Sequence, residues 1–405
     1  MVETTRAIAT GLIHHPYQPP AGFVAPQPGV FKASTVIFPN VAAMRSAEWK
    51  DKSGYTYGLH GTPTTYQLEE RLSTLEGGNY CLLVTSGLAA IATVSMSLLK
   101  TGDEVLIPDN VYGPSRTLAS GELAAWGVTH RFYDPMRPQD LADKIGPKTR
   151  LVWLEAAGSV TMEFPDLAEL VRICKARSVL SALDNTWGAG LAFRPFDLTP
   201  GTGSTAVDLT VHALTKYPSG GGDVLMGSII TQDPQLHTQL KLTHMRIGFA
   251  VAANDAETVL RALPSIVLRY EAQDLAARSL ASWAQARPEF AQVLHPALPN
   301  SPGHAFWRAT CRNGPGGAAG LFSVVFQSRY RTEQVDAFCD ALQLFKLGYS
   351  WGGPISLVVP YDLAQMRGGW PAHLPQGTLV RFSAGLEDVA DLQADLAQAL
   401  RKALD

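Results

Sequence analysis

Four short apolar runs constrain this chain more than anything else in it: Val105-Leu106-Ile107, Leu151-Val152-Trp153-Leu154, Val179 to Leu183 and Leu209-Thr210-Val211. None carries a charge, and none alternates apolar with polar. A strand with one wet face alternates, whereas a strand covered on both faces reads as a continuous apolar run. Between the second and third runs, Leu167, Leu170, Val171 and Cys174 form a helical stripe, so the repeating unit is strand, helix, strand. The expectation is an α/β fold with a mostly parallel central sheet. Ligands of such sheets bind beyond the carboxyl ends of the strands.

The rest of the chain divides around this core. The first sixty or so residues are crowded with Pro16, Pro19, Pro20, Pro26, Pro28, Gly58, Gly61 and Pro63, which leave no room for a long periodic segment. Such an arm cannot bury itself and must lie on something else. Thr64 with Gln67 reads as a capping box. Tyr66, Leu68, Leu72 and Leu75 continue at near-helical spacing, and Gly77-Gly78 closes the helix. Past Pro264 come a long helix (Tyr270 to Gln285), a strand (Leu321 to Phe326) and a terminal helix with Val389, Leu392, Leu396 and Leu400 on one face. This pattern predicts a second, smaller α+β domain.

Several partner classes drop out. With 33 Lys+Arg against 36 Asp+Glu and no basic block, the chain lacks the charge that meets phosphate backbones, so no nucleic-acid partner is expected. Its best apolar stretch, Leu88 to Leu99, is broken by Thr93, Ser95 and Ser97 and falls short of a membrane span. The N-terminus lacks the basic-then-apolar order of an export signal, so the expected location is the cytoplasm, with no membrane partner. Cys81, Cys174, Cys311 and Cys339 show no metal-ligand spacing, read as buried thiols, and imply no metal site.

Two familiar motifs fail on context. Gly314 to Ala319 fits G-x-G-x-x-A, but a strand comes after it where a dinucleotide site needs a helix. Gly348-Tyr-Ser350-Trp-Gly352 fits the nucleophile elbow of a serine hydrolase, with Asp362 and His373 in the right chain order. Gly353-Pro354 then makes a turn and Ile355 to Val359 another strand, where an elbow needs a helix. Three other features agree with one another. Lys216 leaves the strand ending at Val211 and runs into Gly220-Gly221-Gly222, Asp184 ends the Val179–Leu183 strand, and Thr85-Ser86-Gly87-Leu88 opens a helix whose free N–H groups suit a phosphate. An amine for an imine, a carboxylate for a protonated ring nitrogen and a phosphate cradle are three parts of a pyridoxal 5'-phosphate (PLP) site.

On these residues the chain resembles the fold-type I, PLP-dependent Cys/Met metabolism enzymes. The resemblance runs through Tyr57-Gly58, Pro63-Thr64, Leu75-Glu76-Gly77-Gly78, Thr85-Ser86-Gly87, Asp103 to Leu106, Val111-Tyr112, Leu154-Glu155, Gly158 to Glu163, Asp184 to Trp187, Thr215-Lys216-Tyr217, His295 to Pro299, Tyr349 to Gly353, Thr378 to Arg381 and Gly385 to Asp388. It implies an arm at 1–61, a PLP-binding domain at 62–265 and a C-terminal domain at 266–405. It further implies that Lys216 carries the cofactor and moves the substrate proton, and that Asp184 pairs with the ring nitrogen. Tyr112 stacks on the ring and counts with Lys216 as catalytic, Gly87, Leu88 and Thr215 hold the phosphate, Arg381 binds the substrate carboxylate, and Ser350 and Trp351 line the pocket. Tyr57 completes a neighbouring subunit's site in a homotetramer built from dimers. The implied activity is carbon–sulfur β-elimination on L-cystathionine or a related cysteine S-conjugate, an amino-acid thioether, within methionine biosynthesis. A γ-lyase, a γ-synthase, or a PLP-poor member without catalysis are the alternatives.

The family pattern breaks at three places. The family has Tyr-x-Arg where this chain has Tyr57-Gly58-Leu59, so the guanidinium that clamps the phosphate is missing, with His60 beside it. Leu214 stands where a small residue is usual, and Gly221 where these lyases often carry His.

Overall fold

The computed structural model describes residues 7–15, 21–200, 205–312 and 314–404. Pro16, Pro19 and Pro20 of the arm lie outside them.

Seven strands form the larger sheet: β1 (Tyr80–Val84), β2 (Glu104–Pro108), β3 (Thr129–Tyr133), β4 (Thr149–Glu155), β5 (Leu180–Asp184), β6 (Leu209–Ala213) and β7 (Gly227–Thr231). Their order is β1-β7-β6-β5-β4-β2-β3, with parallel pairing everywhere except around β7, which runs antiparallel to both neighbours. The four apolar runs are β2, β4, β5 and β6, the middle of the sheet. In β2 every residue is buried. Strand β3 carries Thr129, His130 and Arg131 at the sheet edge, where water reaches one face, and so shows no apolar run.

Register sets up the site. Glu155 pairs with Asp184 and Asp184 with Val211, which puts two carboxylates side by side at the carboxyl ends of β4 and β5.

The helix after the arm begins one residue earlier than the sequence predicts, at Pro63–Glu76. Pro63 is pre-set for the first helical position, and the capping box belongs to Thr62 and Thr65: Thr65 N–H donates to Thr62 Oγ1 (3.3 Å) and Thr62 N–H to Thr65 Oγ1 (2.8 Å). Thr64 Oγ1 instead accepts from Phe31 N–H at 2.8 Å and fastens the arm to this helix. Gly77, at φ 84°, ends the helix in the left-handed conformation glycine tolerates.

A second sheet holds β8 (Phe290–Leu294), β9 (Leu321–Phe326), β10 (Lys346–Leu347), β11 (Leu357–Tyr361) and β12 (Leu379–Ser383) in the order β10-β11-β12-β9-β8. Leu392, Leu396 and Leu400 of the terminal helix Val389–Leu404 share a core with Phe322, Phe338 and Phe382. Helix Ile266–Gln285 serves both cores: Ile266 and Tyr270 sit in the first, Ala277 and Leu280 in the second. From it Gln273 donates to the Gly353 carbonyl at 2.8 Å and fixes the loop before β11 over the first sheet. All four cysteines are free and buried, as expected.

The arm is anchored at Leu12, fully buried in the first core, and lies open beyond it. Its helix Val41–Ser46 buries no residue, and Val24 and Ile37 are 91% and 86% exposed. Thr35 bridges to Tyr57, so the arm folds back on itself before it reaches Pro63.

Candidate active site

A cavity of about 710 Å³ opens at the carboxyl ends of β4, β5 and β6, where the doubly wound sheet meets the second domain's β12. Asp184 ends β5 inside it. Burial raises its carboxyl above the usual aspartate range, and two hydrogen bonds from Thr186, hydroxyl (2.6 Å) and backbone N–H (3.0 Å), pull the other way. The same hydroxyl accepts from Ala213 N–H at 3.0 Å, which locks the ends of β5 and β6 together.

Lys216 comes three residues after β6. Its Nζ donates to Ser350 Oγ at 3.1 Å and stands 5.4 Å from the Trp351 ring centre. Burial, helped by the charge of Arg381, brings the ammonium down to about 8, well below an ordinary lysine, which eases its loss of a proton. Trp351 also packs edge-on against Tyr217, whose hydroxyl accepts from Gly320 N–H; one tryptophan is thus both core and pocket wall.

Above the floor, helix Gly87–Leu98 starts against the sheet. A Cβ on Gly87 would stand 2.6 Å from Ala213 Cβ, so only glycine lets the helix start approach this closely. Ser86 caps the helix through Ala89 N–H at 3.0 Å, which makes it a structural cap. Gly87, Leu88 and Thr215 all line the cavity.

Arg381, on β12, is only 8% exposed, and among the described residues no carboxylate lies in ion-pair range of it. Burial lowers its pKa; the Tyr361 ring, 5.3 Å away, stands where a counter-ion would. A buried guanidinium without an anion is costly unless a ligand supplies one. Tyr112, 42% exposed, covers the mouth from the other side. Its backbone N–H donates to Glu155 Oε2 at 2.9 Å, and burial together with Asp184 pushes the Glu155 carboxyl well up.

The cavity therefore gathers Lys216, Asp184, Tyr112, Gly87, Leu88, Thr215, Arg381, Ser350 and Trp351. It does not gather Tyr57, which is 47% exposed on the arm, nor His60, which stacks on Trp49 at 4.2 Å and bonds Thr56 at 2.8 Å. The sequence alone assigned no role to Glu155, Thr186 or Tyr361. Glu155 and Thr186 sit inside family motifs, but Tyr361 meets Arg381 only as a diagonal neighbour across β11 and β12. Both rejected motifs are accounted for. The Gly316 and Ala318 N–H groups bond the buried Asp274, and around Ser350 neither Asp362 nor His373 forms a triad: Asp362 caps Gln365, and His373 bonds Glu163.

An amine of lowered pKa, a buried carboxylate at the adjacent strand end, a glycine-opened helix start and an unpaired guanidinium suit an amino acid held on PLP, and they fit the donor set that cofactor requires. Comparison with known proteins agrees. The family of Cys/Met metabolism PLP-dependent enzymes matches residues 9–401, and the chain belongs to it. It is 36% identical to the cystathionine beta-lyase of Bordetella avium over the whole of both chains, and 33% identical to that of Escherichia coli over 90% of this chain and 91% of that one. A solved structure of cystathionine gamma synthase from Xanthomonas oryzae pv. oryzae, in complex with aminoacrylate and cysteine, superposes with a TM-score of 0.87 at 26% identity, covering 98% of each chain. The fold is that of the fold-type I PLP-dependent enzymes.

Proposed function

We propose that this chain is a PLP-dependent carbon–sulfur β-lyase that converts L-cystathionine and water to homocysteine, pyruvate and ammonia. The observation that carries the reading is Arg381: a buried, unpaired guanidinium in the same cavity as Lys216 and Asp184 calls for a carboxylate beside the amine. PLP, when bound, supplies an electron sink for the substrate Cα.

Lys216 would hold the cofactor and, once free, would take the substrate Cα proton; its depressed pKa suits that task. Ser350 steers its Nζ. Asp184 would pair with the ring nitrogen, Tyr112 would cover the ring, and Gly87, Leu88 and Thr215 would hold the phosphate. Arg381 would take the α-carboxylate with its planar fork, in the cavity that Trp351 and Ser350 also line. Tyr57 serves a neighbouring copy, in a homotetramer built from dimers; the exposed apolar arm supports that assembly. The domain limits 1–61, 62–265 and 266–405, a cytoplasmic location and a place in methionine biosynthesis belong to the same reading.

The test is to incubate the PLP-loaded protein with L-cystathionine and identify products by mass spectrometry. Homocysteine with pyruvate is expected. Cysteine with 2-oxobutyrate would move the assignment to a γ-lyase, the second reading supported by the likeness to the γ-synthase structure.

A further inference from the structure

Behind one wall of the cavity lies a charge cluster with no part in the chemistry above. Glu163 is fully buried and accepts from Asn110 Nδ2 (2.6 Å), Thr161 Oγ1 (3.0 Å), Arg367 Nη1 (2.8 Å) and His373 Nε2 (2.5 Å). Arg367 reaches on with Nη2 to Asp109 Oδ1 at 2.7 Å. Among the described residues, every ion pair joining a residue before 265 to one after it runs through Arg367 or His373.

What this cluster holds is pocket surface. On one side is the turn that supplies Ala157, Gly158, Ser159, Val160 and Met162 to the cavity lining. Val160 (φ 71°) and Met162 (φ 56°) sit in the left-handed region that side chains disfavour, so the turn needs support from outside. Gly158 N–H to the Glu163 carbonyl (2.8 Å) and Ser159 N–H to the Asn110 carbonyl (2.9 Å) tie it to the cluster. On the other side, helix Leu363–Arg367 supplies Met366, the residue next to the guanidinium.

We propose that Arg367, clamped between Glu163 and Asp109, is a positioning residue that holds Met366 and the 157–162 turn together as one wall and so sets how tightly the sulfur-linked leaving group is bound. The proposal rests on the β-lyase reading. Arg367 is absent from the cavity lining, so its removal loosens the wall without touching Lys216, Asp184 or Arg381.

The test compares wild type with Arg367→Met, both carrying the visible PLP band, on L-cystathionine and on S-methyl-L-cysteine. For cystathionine KM rises about tenfold while kcat stays within about threefold, the pattern of lost ground-state binding; S-methyl-L-cysteine, with its small leaving group, changes less. Arg367→Lys recovers part of the loss. Because Arg367 works through Met366, the double variant with Met366→Ala is no worse than the worse single one. An unchanged KM for cystathionine, equal losses on both substrates, or strictly additive effects with Met366→Ala overturns the proposal. Should Arg367→Met fail to fold, the half-exposed His373→Gln replaces it, with a KM rise of about twofold expected and no rise fatal. If the wild type releases no pyruvate from either thioether, the β-lyase reading fails by itself. The wall is then judged from the L-methionine concentration that perturbs the PLP band, which must rise in Arg367→Met for the proposal to stand.

Discussion

The cavity floor and the N-terminal arm make opposite use of the chain. On the floor, Asp184 ends one central strand and Lys216 follows another by three residues, and each is held by a near partner: Thr186 for Asp184, Ser350 for Lys216. The arm leaves Ile37 and Val24 open and is tied to the body by polar bonds, among them Phe31 N–H to Thr64 Oγ1, Lys52 to Glu69 and Lys241 to the Trp49 carbonyl. Chemistry is placed at the ends of the paired central strands, and the exposed apolar part of the arm is left to a further surface. Substitutions on the floor should therefore act on turnover, and substitutions in the arm on cofactor retention and assembly.

Lys216→Ala tests the floor most severely. It removes both the cofactor's anchor and the proton carrier, so turnover should fall by on the order of 10⁴-fold, with loss of the visible band of the bound cofactor. Appreciable activity in that variant, measured by pyruvate release, would end the reading. Arg381→Ala ranks next. The buried guanidinium loses its ligand carboxylate, which should cost roughly 2 to 5 kcal/mol, seen mainly as a raised KM for cystathionine. An unchanged KM would remove Arg381 from the carboxylate site.

Much of the floor was legible in the sequence, and the reason is local. Strands β2, β4, β5 and β6 are buried on both faces, so each shows as an apolar run, and Asp184 and Lys216 come within a few residues of two of them. Strands β3 and β7 left no such trace: β3 is a half-wet edge, and β7, Gly-Ser-Ile-Ile-Thr, is too small and polar to stand out. The helix start moved from Thr64 to Pro63 because Thr62 and Thr65 form the box that Thr64 and Gln67 resemble. Tyr361 and the Glu163–Arg367 clamp escaped for a different reason. Their partners lie 20 and 204 residues away, and no spacing rule links them until the second sheet docks on the first.

On the arm side the expected effects are smaller. Leu59→Arg restores the residue the family uses to clamp the phosphate from a neighbouring copy. A charge-assisted hydrogen bond of about 1.5 kcal/mol should tighten PLP binding by about tenfold. Equilibrium dialysis of PLP against both proteins checks it. An unchanged dissociation constant would mean that the arm does not reach the neighbour's phosphate, or that His60 already does this work.

The smallest effect returns to the body, where His373 contacts Glu163 at 2.5 Å. The hydrogen bond to Glu163 raises the imidazole pKa above its usual 6.5. Burial and the charge of Arg367 oppose that shift, and Asp134 adds to it. A raised folded-state pKa means that the pair's full contribution to stability is present below about pH 6.5. It fades as pH climbs through the higher folded value. Glu163, held down to about 2 by His373 and Arg367 against its burial, stays ionised throughout that window and does not confuse the result. Because the His373 side chain is 42% exposed, solvent screening limits the pair to about 0.5 kcal/mol. Thermal unfolding of His373→Gln should thus show a deficit of a degree or so against wild type near pH 6 that closes toward pH 9, about the size such a contribution produces in a chain this long. A gap that widens with rising pH would show that His373 works as a neutral ring, leaving Arg367 as the sole cation on Glu163.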